Sequence, residues 1–281
     1  MSTVWCNGEI VEGPLALDPR DRGLNLGDGL FETMLVVNRV PLWANMHLAR
    51  MHSAANELGI PFSRAAVDSG IAAVLQHAAT AHAVLRVTLS RGAGARGLAG
   101  SGATPTLLVS CDPFDAGLMF QPAALLTSSI RRSPASPSTR LKTLSYIDNI
   151  AAAREAAARA MDDALMLNTG DRVACTTIAN VFLMKGRKLV TPARDQAILT
   201  GVTRQALIAA AQHLGYMVEE RAVKPSEIEK ADAMFITNSL RFIRPVRSLD
   251  QQPVNMADLT PLADFLCDTA RLQCGRDPRL I

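Results

Sequence analysis

Three groups of residues in this chain combine types and spacings that can do chemistry. Lys142 stands in RLKTLSYIDNIAAAREA, where a Pro/Ser-rich stretch (133–140) gives way to an Ala-rich helical pattern. It is either a solvated surface lysine or an amine held in a pocket to bond a carbonyl carbon, the usual work of a nucleophilic lysine. In ILTGVTRQALI (198–208), Thr200-Gly201 precedes an apolar-periodic run and Thr203 falls on its first turn. The N–H groups of a helix start attract phosphate, although an ordinary threonine cap reads the same way. In SRGAGARG (90–97), Arg91 and Arg96 lie among three glycines. Two guanidinium forks there can clamp a carboxylate; a surface loop with its arginines in water fits the spacing at least as well.

Two smaller signals accompany these. Arg50 lies among the apolar positions of the 45–58 pattern, and either a phosphate or an ion pair would explain it. FITNSLRFIRPV (235–246) brings Thr237, Asn238 and Ser239 together at a polar turn. An aldehyde-bonding lysine together with phosphate seats describes the needs of pyridoxal 5′-phosphate (PLP).

Other chemistries find less support. The five histidines form no metal-ligand spacing, so no metal is expected; His47 and His52, five apart, share no helix face, and all five read as surface or capping residues. Five cysteines, an odd number without C-x-x-C, suggest neither a disulfide framework nor a zinc site and point to a reducing, cytoplasmic setting. A net charge of +3 with mixed signs and 4% aromatic residues does not suggest nucleic-acid binding. The N-terminal residues lack a signal-peptide pattern, and no run of 18 apolar residues predicts a membrane span.

The elements that must position these residues alternate along the chain. Asn7-Gly8 marks a hairpin within 3–16. A strand, a turn at Asn38-Arg39 and a second strand fill 27–43. Helices are expected over 45–58, stopped by Gly59, and over 64–81, followed by strands at 83–92 and 104–114. A second half adds a strand before the 133–140 loop, a helix from about 145 to 161, several strands, a helix over 201–216 and a closing helix over 256–273. This is an α+β (α/β) pattern in two domains.

The order and spacing of DRGLNLGDGLFETM, HLARMHSAANELGI, SRGAGARG, RLKTLSYIDNIAAAREA, ANVFLMKGRKLVTP, ILTGVTRQALI and FITNSLRFIRPV resemble the class IV aminotransferases, PLP enzymes of fold type IV, over nearly the whole chain. The resemblance implies a smaller N-terminal α/β domain (1–118), a larger C-terminal PLP-binding domain (119–281), and PLP between them. It implies that Lys142 is the Schiff-base lysine and that Arg50 binds the PLP phosphate. Val202 and Thr203 would contact that phosphate at a helix start, Ser239 with Asn238 would add to them, and Tyr146 would lie near the cofactor ring. It also implies a homodimer with shared active sites and a small-molecule amino substrate.

Arg91 and Arg96 match the RGxGxRG loop of the aminodeoxychorismate lyase branch, which borders the substrate. Lyase-like elimination of pyruvate, giving 4-aminobenzoate, is therefore the first expectation. A D-amino-acid or branched-chain transaminase is the second, and a PLP-binding protein with little turnover the third. Three residues depart from the pattern: Leu98 replaces a tyrosine of the lyase loop, Ser145 an asparagine, and Cys175 the glutamate that faces the pyridine nitrogen in the family.

Overall fold

The computed structural model describes residues 3–100 and 104–281. The chain forms two compact units. One comprises Met1–Asp115, Leu141–Ser145 and Ala270–Ile281; the other comprises Ala116–Arg140 and Tyr146–Thr269. A single cut near 118 does not describe this division, because the five residues around Lys142 and the C-terminal segment return to the first unit.

The first unit contains β1 (Thr3–Cys6), β2 (Glu9–Val11), β3 (Gly29–Val37), β4 (Val40–Pro41), β5 (Ala83–Ser90) and β6 (Thr106–Pro113), with α1 (Arg22–Leu26), α2 (Ala44–Leu58) and α3 (Arg64–His77). The strands form one antiparallel sheet in the order β2-β1-β6-β5-β3-β4. Asn38 and Arg39 both take positive φ, as a two-residue hairpin turn between right-twisted strands requires. Strand side chains alternate between faces, so Leu30, Met34 and Val36 of β3 join Leu85, Val87 and Leu89 of β5 in one core with Leu48 and Met51 of α2 and Val67, Ile71 and Val74 of α3. Each fully buried side chain of this kind contributes about 1.5–3 kcal/mol. The helical pattern expected to reach 81 stops at His77. The Arg39 guanidinium takes the carbonyls of Leu75 and Ala78, which satisfies the helix end from outside. The C-terminal segment is tied in by Asn38 Nδ2 donating to the Cys274 carbonyl and Trp43 N donating to Gln273 Oε1, both at 3.0 Å.

The second unit contains β7 (Ala123–Arg132), β8 (Asp163–Asn168), β9 (Val173–Thr176), β10 (Asn180–Lys185), β11 (Lys188–Pro192), β12 (Met217–Arg221), β13 (Ala233–Asn238), β14 (Phe242–Leu249) and β15 (Gln252–Pro253). Its helices are α4 (Pro137–Arg140), α5 (Ile147–Ala157) and α6 (Val202–His213), with most of α7 (Thr260–Cys274). The sheet runs β12-β11-β10-β13-β14-β7-β8-β9, and β9 pairs back onto β10 through Asn180↔Cys175. Six strands therefore close into a ring, which removes their edges from water. Parallel neighbours β7–β8 and β11–β12 are joined by the helical crossovers that parallel pairing requires, α5 and α6.

The polar turn expected in the 235–246 stretch joins two antiparallel strands, because Asn238 Oδ1 accepts from Leu240 N and Arg241 N and folds the chain into a hairpin. One expectation changes here. The helix expected from 145 begins only at Ile147. Among the described residues no helix is long and apolar enough to cross a membrane.

Candidate active site

Lys142 is positioned by a strand. Phe31 N donates to the Lys142 carbonyl (2.9 Å), Leu144 N donates to the Gly29 carbonyl (2.9 Å), and Leu30 bridges Thr143. The lysine thus lies in an extended stretch docked along the start of β3, where β4 does not reach, rather than at a helix start. Its Nζ sits 4.2 Å from the centroid of the Phe31 ring, and the Arg86 guanidinium carbon lies 4.0 Å from the same centroid. Burial pushes the ammonium down to about 8; Glu32 opposes that fall, while Arg50 and Arg86 add to it.

Phe31 and Glu32 are consecutive on β3 and so point to opposite faces. Glu32 is wholly buried. Its Oε1 accepts from Arg50 Nε (2.7 Å), and its Oε2 accepts from Arg50 Nη2 (2.6 Å) and His47 Nδ1 (2.7 Å). Burial alone would raise this carboxyl, but Arg50 and His47 outweigh it and hold the group at about 2. Burial lowers the His47 pKa, against the pull of Glu32, so the ring is neutral and its Nδ1–H donates. The surface reading of His47 is therefore corrected: it is 1% exposed. His47 and Arg50 are three apart on α2, which puts them on one face. That spacing, rather than the five between His47 and His52, was the signal in the sequence.

The SRGAGARG arginines part company. Arg91 Nε donates to Asp28 Oδ2 (2.8 Å), and its other nitrogens take the carbonyls of Gly59 (2.9 Å) and Leu58 (2.7 Å). Its fork is filled by the protein itself, so Arg91 is a strap and not one jaw of a carboxylate clamp. Arg22 shares the same Asp28 oxygen and holds the loop by the carbonyls of Gly97 and Leu98. Arg96 is exposed and lines a cleft of about 820 Å³ together with Arg20, Arg22 and Asn25.

In the second unit, Val202 and Thr203 open α6 and are buried. Asn180 fixes this helix start: its Nδ2 donates to the Leu199 carbonyl (2.8 Å) and its Oδ1 accepts from Gly201 N (3.1 Å). A side chain at 201 would place Cβ 2.2 Å from Asn180 Oδ1, so the approach needs glycine. Gly201→Ala is expected to destabilise the protein by about 1–3 kcal/mol, read as a lower melting temperature, through loss of that hydrogen bond and local overpacking. Cys175, Asn180 and Thr237 stand in register across β9, β10 and β13. The Thr203 and Thr237 hydroxyls are buried and find no hydrogen-bond partner among the described residues. Orphaned hydroxyls at and near a helix start fit a bound phosphate. We therefore expect Thr203→Val to leave the cofactor-free protein at least as stable as the parent while weakening PLP binding by roughly tenfold, one charge-assisted hydrogen bond. Thermal melts and a PLP titration read the two halves of that result.

The remaining site candidates are placed as follows. Tyr146 caps the N-terminus of α5 by position, without a side-chain cap bond. Ser239 is half-buried in the β13–β14 turn, and Asn238 closes that turn. Cys175 is buried beside Ala174 and Ile198. Burial raises its thiol pKa, Arg132 opposes the rise and Asp163 adds to it, so the thiol is neutral near pH 7. Buried Arg132 donates to the Ala197 and Thr139 carbonyls (2.8 Å each) and to Asn149 Oδ1 (3.3 Å). The residues present thus fit an aldehyde and a phosphate, whereas Cys175 offers no negative charge.

The family profile described as Amino-transferase class IV matches residues 29–249. The chain belongs to this family. A putative 4-amino-4-deoxychorismate lyase from Legionella pneumophila is 36% identical, with a TM-score of 0.84 over 91% of this chain and 96% of that one. The D-alanine aminotransferase of Bacillus licheniformis is 27% identical, covering 92% of each chain. A branched-chain amino acid aminotransferase from T.th., solved with N-(5′-phosphopyridoxyl)-L-glutamate, has the same fold at 24% identity, with a TM-score of 0.87 over 99% of this chain and 95% of that one. Class IV aminotransferases depend on PLP, and this chain is an enzyme of that family.

Proposed function

We propose that the chain is an aminodeoxychorismate-lyase-like enzyme that eliminates pyruvate from 4-amino-4-deoxychorismate to give 4-aminobenzoate. The observation that carries catalysis is Lys142: an amine held down to about 8 by burial and two guanidinium groups is substantially uncharged at mildly alkaline pH, which suits it to bond an aldehyde and then move protons. PLP, when bound, supplies the aldehyde and a conjugated ring that takes up electron density from the substrate α-carbon. Lys142 would hold the cofactor and, once displaced by the substrate amine, take and return the α-proton. Arg50, Val202, Thr203 and Ser239 would hold the phosphate, and Tyr146 would border the ring. Arg96, in its arginine-lined cleft, would meet a substrate carboxylate.

Elimination is favoured over transamination by Cys175. A neutral thiol gives the ring nitrogen no anionic partner, so electron withdrawal is weaker. A reaction that regains aromaticity in its product needs less of it. The sequence similarity to the Legionella protein supports the same reading. The second reading, a transaminase for D-amino or branched-chain amino acids, is favoured by the Bacillus relative. Incubation with 4-amino-4-deoxychorismate, and separately with D-alanine or leucine plus a 2-oxo acid, decides between them. We expect pyruvate and 4-aminobenzoate in the first case; amino-group exchange alone would overturn the lyase reading, and no turnover of either would leave a PLP binder.

The apolar side chains exposed at Leu24, Leu26 and Leu98 support a homodimer, which light scattering would test. Five cysteines without a disulfide suit a reducing cytoplasm.

A further inference from the structure

The sequence pointed to Arg50 and Lys142 separately. The structure joins them through an acidic residue that neither motif singled out. Glu32 is the carboxylate that Arg50 grips at two points and His47 at a third; the preceding residue, Phe31, points to the other face of β3, takes the Lys142 carbonyl on its N–H (2.9 Å) and has Arg86 and the Lys142 amine against its ring. A carboxylate buried this completely is costly unless its partners hold it. Here three donors on one helix face do so. The planar guanidinium, bonded through Nε and Nη2, has its plane and direction set by the carboxylate. A neutral His47 supplies a hydrogen bond without adding charge, which leaves Glu32 to offset Arg50 and to act electrostatically on Lys142. Removing the charge from Glu32 would therefore have two consequences at once: a guanidinium released from its two-point bond, and a lysine left among cations.

We propose that Glu32 is the positioning residue of this active site, fixing the Arg50 guanidinium for an anionic ligand and coupling that arginine to Lys142. The role assigned to Arg50 rests on the PLP reading; the coupling to Lys142 does not, because it is a property of the protein's own charges. His47 is the supporting member, since it completes the hydrogen bonding of Glu32 while staying neutral.

The test follows the reactivity of Lys142 with acetic anhydride at trace concentration across pH, in the full chain after cofactor removal, read by peptide mass spectrometry against exposed Lys224. The parent should show a midpoint near 8. Glu32→Gln keeps the shape and removes the charge, so the midpoint should move to lower pH and PLP affinity should fall roughly tenfold or more, the loss of a charge-assisted pair. Glu32→Asp, which keeps the charge, should bring the midpoint back toward the parent. A purely structural role would not separate these two variants by pH. A folded Glu32→Gln protein with an unchanged midpoint overturns the coupling. An unchanged PLP affinity overturns the positioning of Arg50. If Glu32→Gln does not fold, Arg50→Gln carries the test with the opposite sign: the midpoint must rise, and a midpoint that stays or falls overturns the proposal. Because the pH profile is read without PLP, its failure counts against Glu32 and not against the cofactor assignment.

Discussion

Lys142→Ala should abolish covalent retention of PLP and lower turnover by roughly 10²–10⁴-fold, the range removed with a positioned general acid–base. The variant should remain folded. Burial disfavours the charged lysine, Arg50 and Arg86 add to that, and Glu32 only partly offsets them. Its folded-state pKa, about 8, lies below the ordinary 10.5. Between those values the unfolded chain keeps a proton that the folded chain has released, so the parent gains stability as pH rises through that window. The alanine variant should lack this gain. Borohydride treatment followed by peptide mapping reads the first effect, steady-state kinetics the second, and melting temperatures from pH 7 to 11 the third. Borohydride-stable pyridoxyl label on another lysine of the parent would sink the assignment. In the parent, the rate of PLP capture should climb through pH 8 and then level, because the uncharged amine is the reacting form.

Cys175→Glu should have the second largest effect, and it should act in two directions. Without PLP the new carboxylate enters an apolar pocket beside Ala174 and Ile198, and stability should fall by about 1–3 kcal/mol. Arg132 limits that loss: it acts on position 175 as a nearby positive charge, and its hydrogen-bond partners are neutral oxygens. With PLP bound, an anion at this position should strengthen electron withdrawal and raise amino-group transfer from an amino donor by roughly tenfold or more. A tenfold change needs only about 1.4 kcal/mol of barrier, well within what one buried charge contributes. Single-turnover rates with D-alanine and with 4-amino-4-deoxychorismate, for parent and variant, measure the balance. Equal rates in parent and variant for both substrates would remove Cys175 from any account of reaction choice.

Local signals in the sequence were dependable where the physics is local. The positive-φ turn at Asn38-Arg39, the stop of α2 at Gly59 and the start of α6 after Gly201 depend on neighbours a few residues away, and the chain alone reveals them. Lys142, Arg50 and Thr203 could be singled out because their types suit an aldehyde and a phosphate. What they touch could not be read. Arg91 and Arg96 look alike in SRGAGARG, yet Arg91 is consumed by Asp28 and by two carbonyls at the end of α2, more than thirty residues away. The H-x-x-R spacing of His47 and Arg50 was visible, but a carboxylate waiting opposite them on β3 was not.

By itself the sequence pointed to the family and its need for PLP, and it singled out Lys142 as the candidate to hold the cofactor and Cys175 as a departure from the pattern it resembles. The tertiary structure alone decided that β3 rather than a helix places Lys142, that β9 meets β10 to close the strand ring, and that Glu32 is charged, buried and gripped by Arg50. The reason is physical. Residue type and short spacing fix which reactions a side chain can perform and which turns it favours. Burial, field and hydrogen-bond partner come from segments distant in sequence, and those set whether an arginine is a strap or a ligand-binding group and whether a lysine carries its proton.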